Sequence, residues 1–154
     1  MGLARAAAGL NRAASAALFE EQTRFLEGDL LELRKWVVFN RTFPVLDVGF
    51  QALNRTPFRV RMHCDDWNEL PASITLLSFT GEALTTLPTG PTGIFHQGPH
   101  RGTGQPFVCM AGSREYHTHE SHTADVWDNY RLRGGYDLGG VLTQIWNGWL
   151  KSKP

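Results

Sequence analysis

The chain has 154 residues, and its fifteen Lys and Arg balance fifteen Asp and Glu to give a formal net charge of zero. That length suits one domain with a core that needs no staples. The balance excludes nucleic-acid binding by bulk electrostatics, which depends on neutralising phosphates, and no apolar run reaches the roughly 18 residues of a membrane span. Two cysteines, Cys64 and Cys109, make no disulfide framework. A reduced, cytoplasmic protein with neither a nucleic-acid nor a membrane partner is the expectation.

Residues 1–16 are Ala-rich, with Arg5 and Arg12 and no acid before Glu20. A transit peptide can share this composition. Ala and Arg are strong helix formers, however, so the segment is expected to be an extension or start of the next helix. Residues 17–154 are then one domain. From about 12 to 39 an apolar stripe (Leu18, Phe25, Leu26, Leu30, Leu33, Val37) runs between Glu20, Glu21, Glu27, Glu32, Arg34 and Lys35. That spacing predicts an amphipathic helix of five or more turns, with Gly28 as a blemish.

The period then changes to two. Val45 to Phe50 reads as a strand. Phe58, Val60, Met62 and Cys64 alternate with Arg59, Arg61 and His63, the pattern of a half-buried strand. Cys64 falls on its apolar face as a small buried thiol. Asp65 and Asp66 make a turn, and Ser73 to Phe79 is a third strand. Periodicity is lost after Pro88 and returns near Asp137, where Leu138, Val141, Leu142, Ile145 and Trp149 repeat at helical spacing. Asp137 suits the N-cap, although Gly139 and Gly140 weaken the first turn. Trp127, Trp146 and Trp149 are expected in packing roles. A long helix, an antiparallel meander, a long loop and a final helix make an α+β domain.

Chemistry concentrates in the loop. Five of the six histidines (His96, His100, His117, His119, His122) lie there with Cys109 and Glu115, in Gly-, Pro-, Ser- and Thr-rich sequence. The glycines of GPHRGTG lack the Gly-Lys-Ser/Thr ending of a phosphate loop. Two readings compete for one sulfur. A cysteine near a histidine can become a thiolate and carry an acyl group as a thioester. Alternatively Cys109, Glu115, His117 and His119, spaced C-x5-E-x-H-x-H with His122 in reserve, carry the donor types of a closed zinc site. An extended backbone would point Glu115, His117 and His119 the same way. Asp125 and Asp128 are candidate late participants, although no spacing favours that over solvated loop carboxylates.

The order of elements, with the acidic turn CDDWNELP, a histidine-containing flap, Cys109, Trp127 and a final helix, resembles the ubiquitin-conjugating enzyme fold. His100 stands near the place of that family's flap histidine, Cys109 at the cysteine and Trp127 at the following tryptophan. The stretch PFVCMAGSREYHTHESHT is similar to a bacterial branch with a Cys-Glu-His-His signature, described as metal-binding. Its genes lie beside those for a ubiquitin-like protein, an activating enzyme and a deubiquitinase-like metalloprotease, in operons linked to antiphage defence. Carried over, Cys109 is the branch cysteine, Glu115 its acid, and His117 and His119 its histidine pair.

The resemblance implies an enzyme that accepts a ubiquitin-like protein on Cys109 from an activating enzyme and passes it to an amine on a target protein. Glu115 and His117 would orient or deprotonate that amine, with His119 positioning them. The N-terminal helix would dock the activating enzyme. No His-Pro-Asn motif is present, so the oxyanion needs another donor: His100, His117 or a backbone N–H. A zinc domain using Cys109, Glu115, His117 and His119, and an inactive adaptor with neither metal nor thioester, are the alternatives.

Overall fold

The computed structural model describes residues 2–90 and 93–154, with side chains from Asn11 onward. Met1 of the expected extension, and Pro91 and Thr92 of the expected loop, lie outside the described residues. The fold is α+β, built on a four-stranded antiparallel meander.

The long predicted helix is two α-helices joined by a 3-10 turn, followed by a strand. Helix α1 (Gly2–Thr23) begins earlier than the apolar stripe and ends where Thr23 Oγ1 donates to the Phe19 carbonyl. A 3-10 turn (Arg24–Glu27) leads through Gly28 to the short α2 (Leu30–Arg34). Lys35, at φ 56°, stops α2 in the left-handed region. Val37 and Val38 then open strand β1 (Val37–Thr42) instead of closing a helix. The β-branched and aromatic run Val37-Val38-Phe39 favours a strand. Leu33, counted in the helical stripe, is 79% exposed, so that stripe is not continuous.

Strands β2 (Val45–Phe50), β3 (Phe58–His63) and β4 (Ser73–Ser78) lie where the period of two placed them. Leu46, Val48 and Phe50 pair with Met62, Val60 and Phe58, and all six are buried on one face. The other face of β2 is closed by charge. Asp47 accepts two bonds from Arg59 (3.0 and 2.6 Å) and one from Arg61 (3.0 Å). Buried carboxylates require such pairing.

The aperiodic stretch holds short elements that the sequence does not announce. β5 (Phe95–His96) pairs with β6 (Phe107–Val108), and α3 (Arg114–Thr118) follows. A 3-10 turn at Trp127–Asn129 precedes α4 (Leu138–Lys151). As expected, Asp137 caps α4, accepting from Gly140 N–H at 2.7 Å. Gly139 and Gly140 have a packing reason. A Cβ on the first would meet the Phe25 ring, and one on the second would collide with the Gly135 backbone.

Phe19 of α1, the inner face of the sheet, Val108 of β6, and Leu138, Val141, Leu142, Ile145 and Trp149 of α4 share one core. Trp127 is buried there and its indole N–H donates to the Asn68 carbonyl, while Trp146 is half-buried. Cys64 is fully buried as expected, and burial pushes its thiol up to about 12. No helix among the described residues is long and apolar enough to cross a membrane.

Candidate functional site

Cys109 follows β6 directly, and its backbone N–H donates to the Ile94 carbonyl at 2.6 Å, extending the β5–β6 pairing by one bond. The thiol is half-buried and faces the His122 ring, with Sγ 3.7 Å from Nε2. Burial pushes the thiol's pKa up from its ordinary value, which disfavours the thiolate and calls for a neighbouring base to take the proton. His122 is the group in place to do so. The sequence held this histidine only in reserve.

The residues expected to share the site part company at α3. Ser113 caps that helix, its Oγ accepting from Tyr116 N–H at 3.1 Å. The segment is therefore helical, not extended. Successive side chains turn by about 100° per residue in a helix, so Glu115 and His117 diverge.

Glu115 points inward and is 4% exposed. Its carboxylate accepts from Ser73 Oγ and from Ile74 N–H, both at 2.7 Å. It clasps α3 to β4.

His117 has both ring nitrogens engaged. Nδ1 meets the Asp125 carbonyl at 2.6 Å, so it carries the proton; Nε2 accepts from Gly112 N–H at 3.1 Å. A carbonyl only accepts and an amide N–H only donates, so this ring is a neutral Nδ1–H tautomer. It fastens the turn after Cys109 to the loop carrying Asp125.

His100 is treated likewise. Its Nδ1 accepts from Gly102 N–H at 3.0 Å, leaving Nε2–H for Thr118 Oγ1 at 3.1 Å. Thr118 in turn donates to the Arg114 carbonyl. This buried ring pins the flap of residues 99–105 onto α3.

Among the described residues, His119 and His96 each keep Nε2 outside such bonds. His119 Nδ1 accepts from Ser121 N–H, and His96 Nδ1 donates to the Gly98 carbonyl. Both rings, with His100, gather around Phe107 of β6, at centroid distances of 4.8 Å (His96), 5.2 Å (His100) and 5.5 Å (His119). His119 lies 5.7 Å from His122. A cleft of about 660 Å³ opens beside them, lined by His100, Arg101, Thr118, His119 and Thr123 among others.

The zinc set read from spacing is accordingly not gathered. Glu115 and His117 spend their acceptor atoms on Ile74, Ser73 and Gly112. Among the described residues no three His, Cys, Asp or Glu side chains form a group able to hold a metal ion.

Sequence reasoning missed Tyr116 and Tyr130, and found no spacing argument for Asp125. The Tyr116 ring stacks on His122 at 4.2 Å between centroids and 14° between planes. Its hydroxyl donates to Asp125 Oδ2 at 2.7 Å, and Tyr130 donates to the same oxygen at 2.7 Å. These bonds hold the Asp125 carboxyl below its ordinary range and push the Tyr116 phenol up to about 12. No spacing marks this cluster. It exists only because residues 119–126 fold back over α3.

The comparisons reach this half of the chain. Residues 97–153 match the model of the Y4jH family, described as Y4jH-like. Over 41 residues the chain is 46% identical to the "Uncharacterized protein y4jH" of Sinorhizobium fredii (strain NBRC 101917 / NGR234), a stretch covering 27% of this chain and 20% of that protein. The chain thus spans about a fifth of the curated relative it matches. Cys109, Tyr116, His122 and Asp125 all fall within the segment that matches the family model.

Proposed function

We propose that the chain is a conjugating-enzyme-like acyl carrier of the ubiquitin-conjugating fold, working in a cytoplasmic, bacterial ubiquitin-like modification pathway of the kind linked to antiphage defence. The observation that carries the reading is the pairing of the half-buried Cys109 thiol with His122, Sγ lying 3.7 Å from Nε2. The order of helix, meander, cysteine segment and helix supports it.

In the first step His122 takes the Sγ proton, and the thiolate attacks the C-terminal carbonyl of a ubiquitin-like protein held as a thioester on an activating enzyme. The new C–S bond forms, the activating enzyme's C–S bond breaks, and its cysteine leaves as thiolate, to which His122 gives the proton it took. In the second step an amine of the target attacks the Cys109 thioester. The C–N bond forms, Cys109 leaves as thiolate, and the amine proton passes to His122, free again to accept it. Of the groups suggested by resemblance, His119 keeps a nitrogen available. Glu115, His117 and His100 support the site by the hydrogen bonds that hold its loops. On this reading the cleft beside His119 takes the extended tail of the ubiquitin-like protein.

The test combines the chain with a ubiquitin-like protein and the activating enzyme encoded with it. The expected result is a reductant-sensitive adduct, lost in Cys109→Ala. Elemental analysis of the same sample decides the rival reading. About one zinc per chain, with a thiol protected from alkylation, would replace the acyl carrier by a zinc domain. Neither adduct nor metal would leave an adaptor.

A further inference from the structure

Among the described residues no carboxylate hydrogen-bonds the His122 imidazole, unlike the arrangement usual for a thiol, a base and an orienting group. What touches His122 instead is an aromatic face. The Tyr116 ring lies nearly parallel to it at 4.2 Å, and such offset stacks carry an orientational preference beyond the area they bury. A half-exposed histidine in a loop is otherwise free to rotate about its terminal torsion, which is broad.

Tyr116 is itself held at both ends. Its backbone N–H is capped by Ser113 Oγ, and its hydroxyl is fixed by Asp125 Oδ2, the atom that Tyr130 also binds. Asp125 is anchored in turn through its backbone carbonyl to His117. The ionisable groups around the His122 ring are therefore Cys109, Tyr116, His119 and the Asp125 carboxylate.

We infer that Tyr116 is the positioning residue of this site: its ring, stacked on the His122 imidazole, fixes that imidazole so that Nε2 faces the Cys109 thiol. The inference rests on the reading of Cys109 as the reactive thiol, but not on any partner protein.

The test is the rate of Cys109 alkylation by iodoacetamide in the full chain, measured across pH. His122→Ala sets the scale, with an expected loss of roughly tenfold near neutral pH, the equivalent of about one pKa unit in thiolate population. Tyr116→Phe keeps the stacking face and should stay within about twofold of the parent. Tyr116→Leu should fall to the His122→Ala profile, and the double variant should lose nothing more, because the two residues act as one unit. Tyr116→Met, of similar bulk and without a π face, repeats the measurement if the leucine variant does not fold.

A parental pH profile in Tyr116→Leu or Tyr116→Met would overturn the inference. So would a further loss when either is added to His122→Ala, or a collapse of the profile in Tyr116→Phe. A failure of the acyl-carrier reading looks different: the alkylation profiles behave as described, yet no thioester adduct forms.

Discussion

Glu115 is where a catalytic carboxylate and a structural one predict opposite results. Its carboxylate, 4% exposed, accepts from Ser73 Oγ and Ile74 N–H at 2.7 Å each. Hydrogen bonds to a charged group contribute about 1.5–3 kcal/mol each, and a buried donor left unpaired costs its desolvation as well. Glu115→Ala strands both donors, so a loss of about 3–5 kcal/mol is expected. For a chain of this length that is a fall of roughly 10 °C in Tm. Glu115→Gln keeps one carbonyl for Ile74 N–H and offers its amide N–H to Ser73 Oγ, so only the charge assistance goes, at a cost of about 1 kcal/mol. Urea unfolding followed by tryptophan fluorescence measures both, with Cys109 alkylation run on the same preparations. The clasp argument requires Glu115→Gln to keep the parental alkylation rate. A Glu115→Ala variant within about 1 kcal/mol of the parent would refute it. So would a Glu115→Gln variant of parental stability with a dead thiol, which would return Glu115 to the chemistry.

Four further outcomes follow from the geometry. Under native conditions iodoacetamide should label one cysteine per chain, Cys109, because Cys64 is fully buried with its thiol pushed up to about 12; intact mass would show a second label if that is wrong. Gly140→Ala should destabilise by about 1–3 kcal/mol despite alanine's better helix propensity, since its Cβ collides with the Gly135 backbone; a raised Tm would contradict this. His117→Asn and His117→Leu should both slow Cys109 alkylation while loosening residues 110–113 and 125, detected by faster hydrogen exchange at Gly112, whose N–H the ring accepts; unchanged exchange at Gly112 would count against the tautomer assignment. Finally, the folded state holds the Asp125 carboxyl below its ordinary range through two phenol hydrogen bonds. A depressed folded value adds stability above the unfolded value near 3.9 and loses it as pH falls further. Asp125→Asn should therefore flatten the acid limb of the stability–pH curve below about 4, and an unaltered acid limb would show that the carboxylate is not engaged.

The fold was legible wherever one periodicity governed one element. β3 alternates Phe58, Val60 and Met62 with Arg59, Arg61 and His63, and it stands where that alternation placed it. The cap at Asp137 was legible because a short acidic side chain before an apolar helical repeat has one main use. Legibility failed where two periods overlap. Leu30, Leu33 and Val37 fit a helix, yet Val37-Val38-Phe39 also fits a strand, and the pairing of β1 with β2 decided between them. Gly139 and Gly140 read as flaws because the sequence does not reveal what approaches them.

The site was legible as a region, while the way its side chains are arranged was not, and α3 is the reason for both. The C-x5-E-x-H-x-H spacing is a one-dimensional pattern, and its meaning depends on the backbone that carries it. On an extended chain Glu115, His117 and His119 would point from one face. On the single turn of helix that Ser113 nucleates, Glu115 turns into the core against β4, Tyr116 turns toward His122, and His117 turns toward Gly112 and Asp125. His119 escapes that rotation only because it is the C-cap, with extended φ and ψ. One short helix thus divides four neighbouring residues into a clasp, a positioning ring, a loop fastener and a group left at the cleft. It leaves His122, four residues past the helix, beside the sulfur. A residue pattern that looks like a ligand set can therefore be a set of supports for one thiol and one imidazole.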